Sequence, residues 1–190
     1  MARKRTRIVQ AGREPALHAG AVNVPVYRAS TILFPDLETM RTGSQPYTYA
    51  RRGTPTTRSL EKAICELEGG ARTVLTPSGL AACTLSILTV CGAGDHILVT
   101  DSVYDPTRVF CNKLGRRYGI STDFYEPCIG AGIEALFRPN TKAVYVESPG
   151  SLTFEVQDIP AIAEVAHRHG AAVIMDNTWA TPLHFDPLGH

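Results

Sequence analysis

An acidic residue follows the last apolar run of the sequence, and a carboxylate in that position needs a hydrogen-bonding or charged partner. Val173, Ile174 and Met175 are typical of a buried strand, and Asp176 follows them directly. A carboxylate at the end of such a strand must be paired or hydrogen-bonded, because its burial is otherwise costly. A protonated ring nitrogen of a bound molecule suits it. The simpler alternative is that Asp176 caps the turn that follows.

Two other positions hold residue types that bind planar, phosphorylated molecules. Pro77, Ser78 and Gly79 stand where a helix is expected to begin, and free backbone N–H groups at such a junction bind anions, although a plain helix cap explains them equally well. Tyr104 follows the apolar stretch HILVT, where its ring can stack on a planar group or occupy the rim of the core. A planar ring with a phosphate and a basic nitrogen describes pyridoxal phosphate. An ionised Asp176 would keep that nitrogen protonated, so that the ring accepts electrons.

Alternating strands and helices are predicted from about residue 60 onward. Helical patterns fall at 58–69, 77–90, 105–119, 133–137 and 158–170, and strand-like apolar runs fall at 72–76, 96–100, 121–127, 142–148 and 171–176. Strands that are apolar on both faces predict an α/β fold with a mostly parallel sheet and helices on both faces. Because ligands of such sheets bind beyond the carboxyl ends of the strands, one crevice is expected among 76–79, 100–104, 147–151 and 176–178.

Composition limits the classes of function. The 190 residues suit one domain or most of one, and 19 Lys and Arg against 18 Asp and Glu leave no broad basic field for nucleic acid. No apolar run is long enough to span a membrane. Five cysteines without a CxxC pair favour reduced thiols in the cytoplasm over disulfides or a zinc site. A nucleotide-binding α/β protein would also fit the alternation, but the glycine-rich motifs of that class are absent from the sequence.

Six segments are specific when they are taken together: VPVYRASTILFP, YTYARRGTPTTRSLE, TPSGLAA, DSVYDPTRVF, VESPGSLTFEVQDIPAIAEVAH and MDNTWATP. They resemble the cystathionine-type, Cys/Met-metabolism branch of the fold-type I pyridoxal-phosphate enzymes, and the likeness runs from about Thr6 onward. The resemblance implies the large domain of that fold type and pyridoxal 5'-phosphate as the cofactor.

An N-terminal arm that contacts the neighbouring subunit is a further implication of the resemblance. It assigns 1–59 to this arm and 60–190 to the pyridoxal-phosphate-binding α/β domain. Tyr49 and Arg51 would reach the cofactor phosphate of the neighbouring subunit, and a guanidinium suits that task because it binds phosphate with fixed geometry. The adjacent Arg52 competes for the same role, and the sequence does not separate the two. A homo-oligomer, as a dimer of dimers, is expected.

Within one subunit, the resemblance carries four roles onto this sequence. Gly79 and Leu80 correspond to the backbone donors to the phosphate. Tyr104 corresponds to the tyrosine that stacks on the pyridine ring and takes part in proton transfer. Asp176 corresponds to the partner of the ring nitrogen, which would explain the carboxylate at the end of its strand.

The form of ESPGSLTFEVQDIP implies cleavage of the amino acid cystathionine by β-elimination, which yields homocysteine, pyruvate and ammonia on the route to methionine. The alternative is a sister activity of the same scaffold, namely that of cystathionine γ-lyase, cystathionine γ-synthase or methionine γ-lyase. Those enzymes more often carry Asn where this chain has Ser151.

The Schiff-base lysine of the family is expected a couple of dozen residues beyond the aspartate. The lysines present all precede Asp176, and they are Lys4, Lys62, Lys113 and Lys142. The sequence therefore resembles the N-terminal half of a longer enzyme, whose other half supplies the lysine and the arginine for the substrate carboxylate. We expect these 190 residues alone to be inactive. A non-catalytic module that binds a partner chain is the alternative from another class.

Overall fold

The structure is a computed structural model that describes residues 4–189, and it divides the chain into two compact units, 1–75 and 76–190. The described part of the first unit consists of helices joined by irregular chain. Its helices are α1 (Lys4–Gln10), α2 (Leu37–Thr42) and α3 (Pro55–Glu68), with 3-10 turns at Pro15–His18 and Ala50–Arg52. None of the three α-helices contains a buried residue.

Helix α3 confirms the helix predicted at 58–69, and its ends follow from local chemistry. Thr54 and Thr57 exchange hydrogen bonds between backbone N–H groups and side-chain hydroxyls, which satisfies donors that the first turn leaves open. Gly69 ends the helix at φ +71°, a conformation that glycine adopts without steric cost. The boundary predicted after residue 59 falls inside α3, and the two compact units divide between Leu75 and Thr76. The inter-subunit role of 1–59 stays a prediction.

The second unit is built on a four-stranded parallel sheet, as the alternation predicted. Its strands are β1 (His96–Thr100), β2 (Ser121–Tyr125), β3 (Thr141–Glu147) and β4 (Ala172–Asp176). They lie in the order β2-β1-β3-β4, and all three pairings are parallel. The carboxyl ends of all four strands therefore lie along one edge of the sheet.

Helices connect the strands and cover them. They are α4 (Gly79–Val90), α5 (Asp105–Phe110), α6 (Ile159–Arg168) and α7 (Thr181–His184), with a π-helical turn at Cys111–Gly115 and 3-10 turns at Gly130–Leu136 and Pro187–Gly189. At α6 the predicted cap is confirmed, because Asp158 Oδ1 accepts a hydrogen bond from Ala161 N at 3.2 Å. Gly170 follows this helix at φ +69°, where the sequence predicted its end.

Strand β3 shows why both faces of the sheet are covered. Successive side chains of a strand point to opposite faces. Ala143 and Tyr145 belong to one buried cluster, which residues of α4 and α5 complete, whereas Val144 and Val146 belong to another, which residues of α6 complete. This arrangement confirms the prediction of a sheet that is apolar on both faces.

One predicted element was wrong, and another differs in its helix type. The run 72–76 forms no strand, and the side chain of Val74 is 73% exposed, because no strand within 4–189 lies beside it to hydrogen-bond with its backbone. The helix predicted over 105–119 is confirmed as one helical run over 105–117, in which the π-helical turn at Cys111–Gly115 follows α5 without a break.

Residues 4–189 include no helix that is long and apolar enough to cross a membrane. In the same range, no three His, Cys, Asp or Glu side chains are grouped so that they would hold a metal ion. All five cysteines carry free thiols.

Candidate active site

Two acidic residues end the two neighbouring strands β3 and β4. Glu147 and Asp176 are register partners in the parallel pairing of these strands, so their backbones lie side by side at the carboxyl edge of the sheet. Within the described residues, neither carboxylate forms an ion pair with Lys, Arg or His. This part of the edge therefore carries negative charge that the described side chains do not balance.

Asp176 is half-buried, and both of its oxygens accept hydrogen bonds from neutral donors. Oδ1 accepts from Thr178 N at 3.0 Å, so the capping role considered from the sequence is present. Oδ2 accepts from Cys83 Sγ at 3.6 Å. A carboxylate offers about four lone-pair positions, so these two contacts leave acceptor capacity for a cationic N–H donor.

Glu147 is the more deeply buried of the two acids, with 5% of its surface exposed. Its Oε2 accepts a hydrogen bond from the backbone N–H of Tyr104 at 2.8 Å. Burial raises the pKa of Glu147 to about 7, the Tyr104 N–H partly offsets this rise, and the charge of Asp176 adds to it. The sequence placed Glu147 in the crevice but gave it no role, because the distant partner of its side chain leaves no local signal.

Tyr104 lies between β1 and α5, on the chain that leaves the carboxyl edge. Its side chain is 44% exposed, and no other aromatic ring or cation of the described residues packs on it. The ring is therefore accessible to a planar ligand, which is what the predicted stacking role requires.

The start of α4 has two features of an anion-binding site. Ser78 is a true cap, because its Oγ accepts a hydrogen bond from Ala81 N at 3.1 Å. The N–H groups of Gly79 and Leu80 have no acceptor among the described residues, as expected for the first turn of a helix. No atom lies within 4 Å of the position that a Cβ on Gly79 would occupy, so there is open space beside this turn.

One contact joins the start of α4 to the acidic edge. Cys83 lies one turn beyond Gly79 on α4, and its thiol reaches Asp176 across 93 residues of sequence. Burial, as the largest cause, raises the pKa of this thiol, and the charge of Asp176 adds to the rise. Cys83 is therefore a protonated donor. It is a second residue whose contact the sequence did not suggest.

Tyr49 and Arg51 belong to the first unit, where they contact each other. Arg51 donates a hydrogen bond to the hydroxyl of Tyr49 at 3.2 Å, and its guanidinium carbon lies 5.1 Å from the centre of the tyrosine ring. The backbone carbonyl of Arg52 instead accepts a hydrogen bond from Arg58. The pairing distinguishes Arg51 from Arg52, although the phosphate-binding role of either residue stays a prediction.

The residues at the carboxyl edge fit pyridoxal phosphate by three observations of the second unit. The free N–H groups of Gly79 and Leu80 border open space, the Tyr104 ring is accessible, and Asp176 has acceptor capacity but no cationic partner among the described residues. Phosphate, pyridine ring and protonated ring nitrogen would each find a matching group.

Comparison with known proteins shows the family of the chain. Residues 5–190 match the family described as Cys/Met metabolism PLP-dependent enzyme, where PLP is pyridoxal phosphate. A putative cystathionine β-lyase of Rhizobium johnstonii is 58% identical over 97% of this chain and 47% of its own length. The cystathionine β-lyase MetC of Escherichia coli is 43% identical over 96% of this chain and 48% of its own length.

A solved structure shows the same fold. The cystathionine γ-lyase of Lactobacillus plantarum, complexed with L-serine, superposes with a TM-score of 0.91 at 32% identity over 99% of this chain and 48% of its own. The chain spans about half the length of the curated relatives it matches. On the family match and these identities, the chain belongs to the pyridoxal-phosphate-dependent enzymes of Cys/Met metabolism.

Proposed function

We propose that the complete protein containing this chain cleaves cystathionine by β-elimination, which with one water gives homocysteine, pyruvate and ammonia. The observation that carries the proposal is the gathering of Asp176, Tyr104 and the free N–H groups of Gly79 and Leu80 at one edge of a sheet of this family's fold. The β-lyase names of relatives at 58% and 43% identity favour β-elimination over γ-elimination.

The residues of this chain divide the work of holding the cofactor. Gly79 and Leu80 would donate hydrogen bonds from their N–H groups to the phosphate, Tyr104 would stack on the ring, and Asp176 would accept a hydrogen bond from the protonated ring nitrogen. When bound, pyridoxal phosphate withdraws electrons from the bonds at the substrate α-carbon. Tyr104 also presents its hydroxyl on an accessible side chain, where it can move a proton during the reaction.

Electrostatics at the edge favour the protonated form of the ring nitrogen. Two adjacent carboxylates without a cation among the described side chains stabilise a positive charge placed beside them. Because its pKa is raised to about 7, Glu147 exchanges its proton near neutral pH. Asp176, whose oxygens accept hydrogen bonds among the described residues only from the neutral donors Thr178 N and Cys83 Sγ, is the proposed counter-ion of the ring.

Three wider expectations belong to this proposal. Tyr49 and Arg51 bind the cofactor phosphate of a neighbouring subunit, and the complete protein is a homo-oligomer, as a dimer of dimers. The free thiols of all five cysteines support the cytoplasm as its location.

The test is product analysis with the complete protein and pyridoxal phosphate. Supplied with cystathionine, it should release pyruvate and homocysteine in equal amounts. Release of 2-oxobutyrate and cysteine would instead support γ-elimination, an outcome for which the structural likeness to the Lactobacillus plantarum enzyme gives a specific reason. Cofactor binding without release of either keto acid would refute lyase activity and favour a non-catalytic role.

A further inference from the structure

The proposed stacking role requires that the ring of Tyr104 keep a fixed position. Its side chain, however, has no packing partner among the described aromatic rings and cations. Its backbone is held on one side by α5. Tyr104 O accepts hydrogen bonds from Thr107 N at 2.9 Å and from Arg108 N at 3.2 Å, which makes Tyr104 the cap of this helix. The carbonyl side of the residue is therefore well anchored.

The amide side of Tyr104 depends on one side chain. A residue at the start of a helix has no intrahelical acceptor for its N–H. For Tyr104 the acceptor is Glu147 Oε2 at 2.8 Å, supplied from β3 across 43 residues of sequence. Loss of this acceptor would leave the Tyr104 N–H unpaired. The chain before it would then be held only through its neighbours, by the bonds from Val103 N to Thr100 O at 3.2 Å and from Ser151 N to Ser102 O at 2.7 Å.

Glu147 is itself held by hydrogen bonds and burial. Its backbone carbonyl accepts a hydrogen bond from Gln157 Nε2 at 2.7 Å, and Gln157 Oε1 accepts one from the hydroxyl of Tyr125 at 3.0 Å. The side chain is buried at the end of a central strand. The carboxylate therefore approaches Tyr104 from a buried part of the second unit whose backbone is hydrogen-bonded on both sides of the strand.

We propose that Glu147 is a positioning residue for Tyr104, whose N–H it binds through a buried carboxylate so that the tyrosine ring stays where the cofactor ring would stack. The inference rests on the proposed function only for its consequence in catalysis. The tether between the two residues is a property of the fold, and it can be tested separately.

Two variants separate the hydrogen bond from the bulk and the charge of the side chain. Glu147→Met keeps the chain length and removes the carboxylate acceptor, whereas Glu147→Gln keeps an acceptor oxygen without the charge. Thr141→Val is the matched control, because Thr141 is a buried polar residue at the opposite end of the same strand. All three are made in the complete protein, and thermal unfolding identifies any variant that fails to fold.

Hydrogen exchange of the backbone amide of Tyr104 is the direct readout. We expect Glu147→Met to speed this exchange on the order of tenfold, and we expect Glu147→Gln and Thr141→Val to leave it within about threefold of the wild type. Unchanged exchange in a folded Glu147→Met protein would overturn the proposal. If Glu147→Met does not fold, the test rests on Glu147→Gln. The proposal would also be overturned if exchange of the Tyr104 amide in Glu147→Gln were accelerated only as much as exchange of amides throughout the protein, because that would reflect global destabilisation.

The second readout concerns the site. Glu147→Met should lower kcat/KM about tenfold to a hundredfold and shift the absorbance spectrum of the bound cofactor, with substantial recovery of both in Glu147→Gln. Equal losses in Glu147→Met and Thr141→Val would indicate a merely structural role and refute positioning. If the wild-type protein releases no keto acid, the proposed function fails, while amide exchange and the cofactor spectrum still decide the role of Glu147.

Discussion

The two ends of the parallel sheet differ in how their polar side chains are paired. At the amino end, His96 Nδ1 lies 2.8 Å from Thr141 Oγ1, and the half-exposed Asp123, from the middle of β2, reaches both Arg138 and His96 Nε2. Burial, with Arg138 as the second cause, lowers the pKa of His96, so the ring is neutral there. At the carboxyl end, Glu147 and Asp176 lie side by side, and no cation of residues 4–189 pairs with either.

This difference is consistent with a structural role for the polar groups at the amino end and a ligand-binding role for those at the carboxyl end. Polar side chains at the amino end lie within reach of one another, since Thr141 Oγ1 meets His96 Nδ1 and Asp123 Oδ2 lies 3.5 Å from His96 Nε2. An unbalanced pair of acids is tolerated at the carboxyl end, which is also where parallel α/β sheets bind ligands. Four predictions test this contrast, from the largest expected effect to the smallest.

The first compares one aspartate from each end. Asp176→Asn should lower kcat/KM of the complete protein about a hundredfold or more, because a neutral amide no longer stabilises the protonated ring nitrogen. Asp123→Asn should change it less than about threefold, because Asp123 lies in a partly exposed ion pair in the middle of β2, away from the carboxyl end of that strand. Steady-state kinetics with saturating pyridoxal phosphate measure both. Similar losses in the two variants would break the contrast.

The second prediction concerns stability at the amino end. Thr141→Val should lower the free energy of unfolding by about 2 kcal/mol, because Thr141 Oγ1 bonds both the His96 ring and the backbone N–H of Arg138 in a buried place. Chemical denaturation of the complete protein measures the loss. Specific activity of the folded variant should be unchanged, and a large drop in activity would show that the amino end also serves the reaction.

The third prediction concerns the open space at the start of α4. Gly79→Ala should weaken pyridoxal phosphate binding about tenfold, equal to about 1.4 kcal/mol, because its methyl group occupies space beside the free N–H groups. Stability should not fall, since the methyl group meets no atom within 4 Å. Spectroscopic titration gives the Kd. The control is Gly170→Ala, which should cost stability at φ +69° and leave the Kd unaltered.

The fourth prediction uses the titration of Glu147. Its pKa in the fold is raised from 4.5 to about 7, so the folded state keeps a proton that the unfolded state releases. Stability from this group is therefore present below about pH 4.5 and is lost as the pH rises toward 7. Burial is the main cause of the raised pKa of Glu147, the Tyr104 N–H opposes it, and the charge of Asp176 adds to it. Glu147→Gln does not titrate, so the wild type should lose stability relative to it over that range. The melting temperatures of the two cofactor-free proteins at pH 5 and pH 7.5 measure this, and a constant difference would contradict it.

Local patterns in the sequence were sufficient for most of the second unit. The strand at 96–100 and the cap of α6 at Asp158 were predicted at the residues where they occur. Apolar strand residues and capping side chains act on near neighbours, so their signals are local. The run 72–76 has the same apolar pattern, but a strand also needs a neighbour for its backbone, and no pattern within five residues supplies that information.

The candidate site shows the same limit. Asp176, Tyr104 and Gly79 were predicted from their places at the ends of apolar runs and from the resemblance to a known family. Glu147 and Cys83 were given no role, since their importance lies in contacts across 43 and 93 residues of sequence. Which side chain reaches which backbone is a tertiary property.

Apolar runs, caps and turn residues thus identified an α/β chain whose strands end on polar groups, because burial and capping are satisfied within a few residues. The strand order β2-β1-β3-β4 was decided only in three dimensions. That order places Glu147 beside Asp176 and brings Tyr104 to Glu147. Sheet hydrogen bonds and the shared burial of distant side chains select it, and neither is encoded in any single stretch of the sequence.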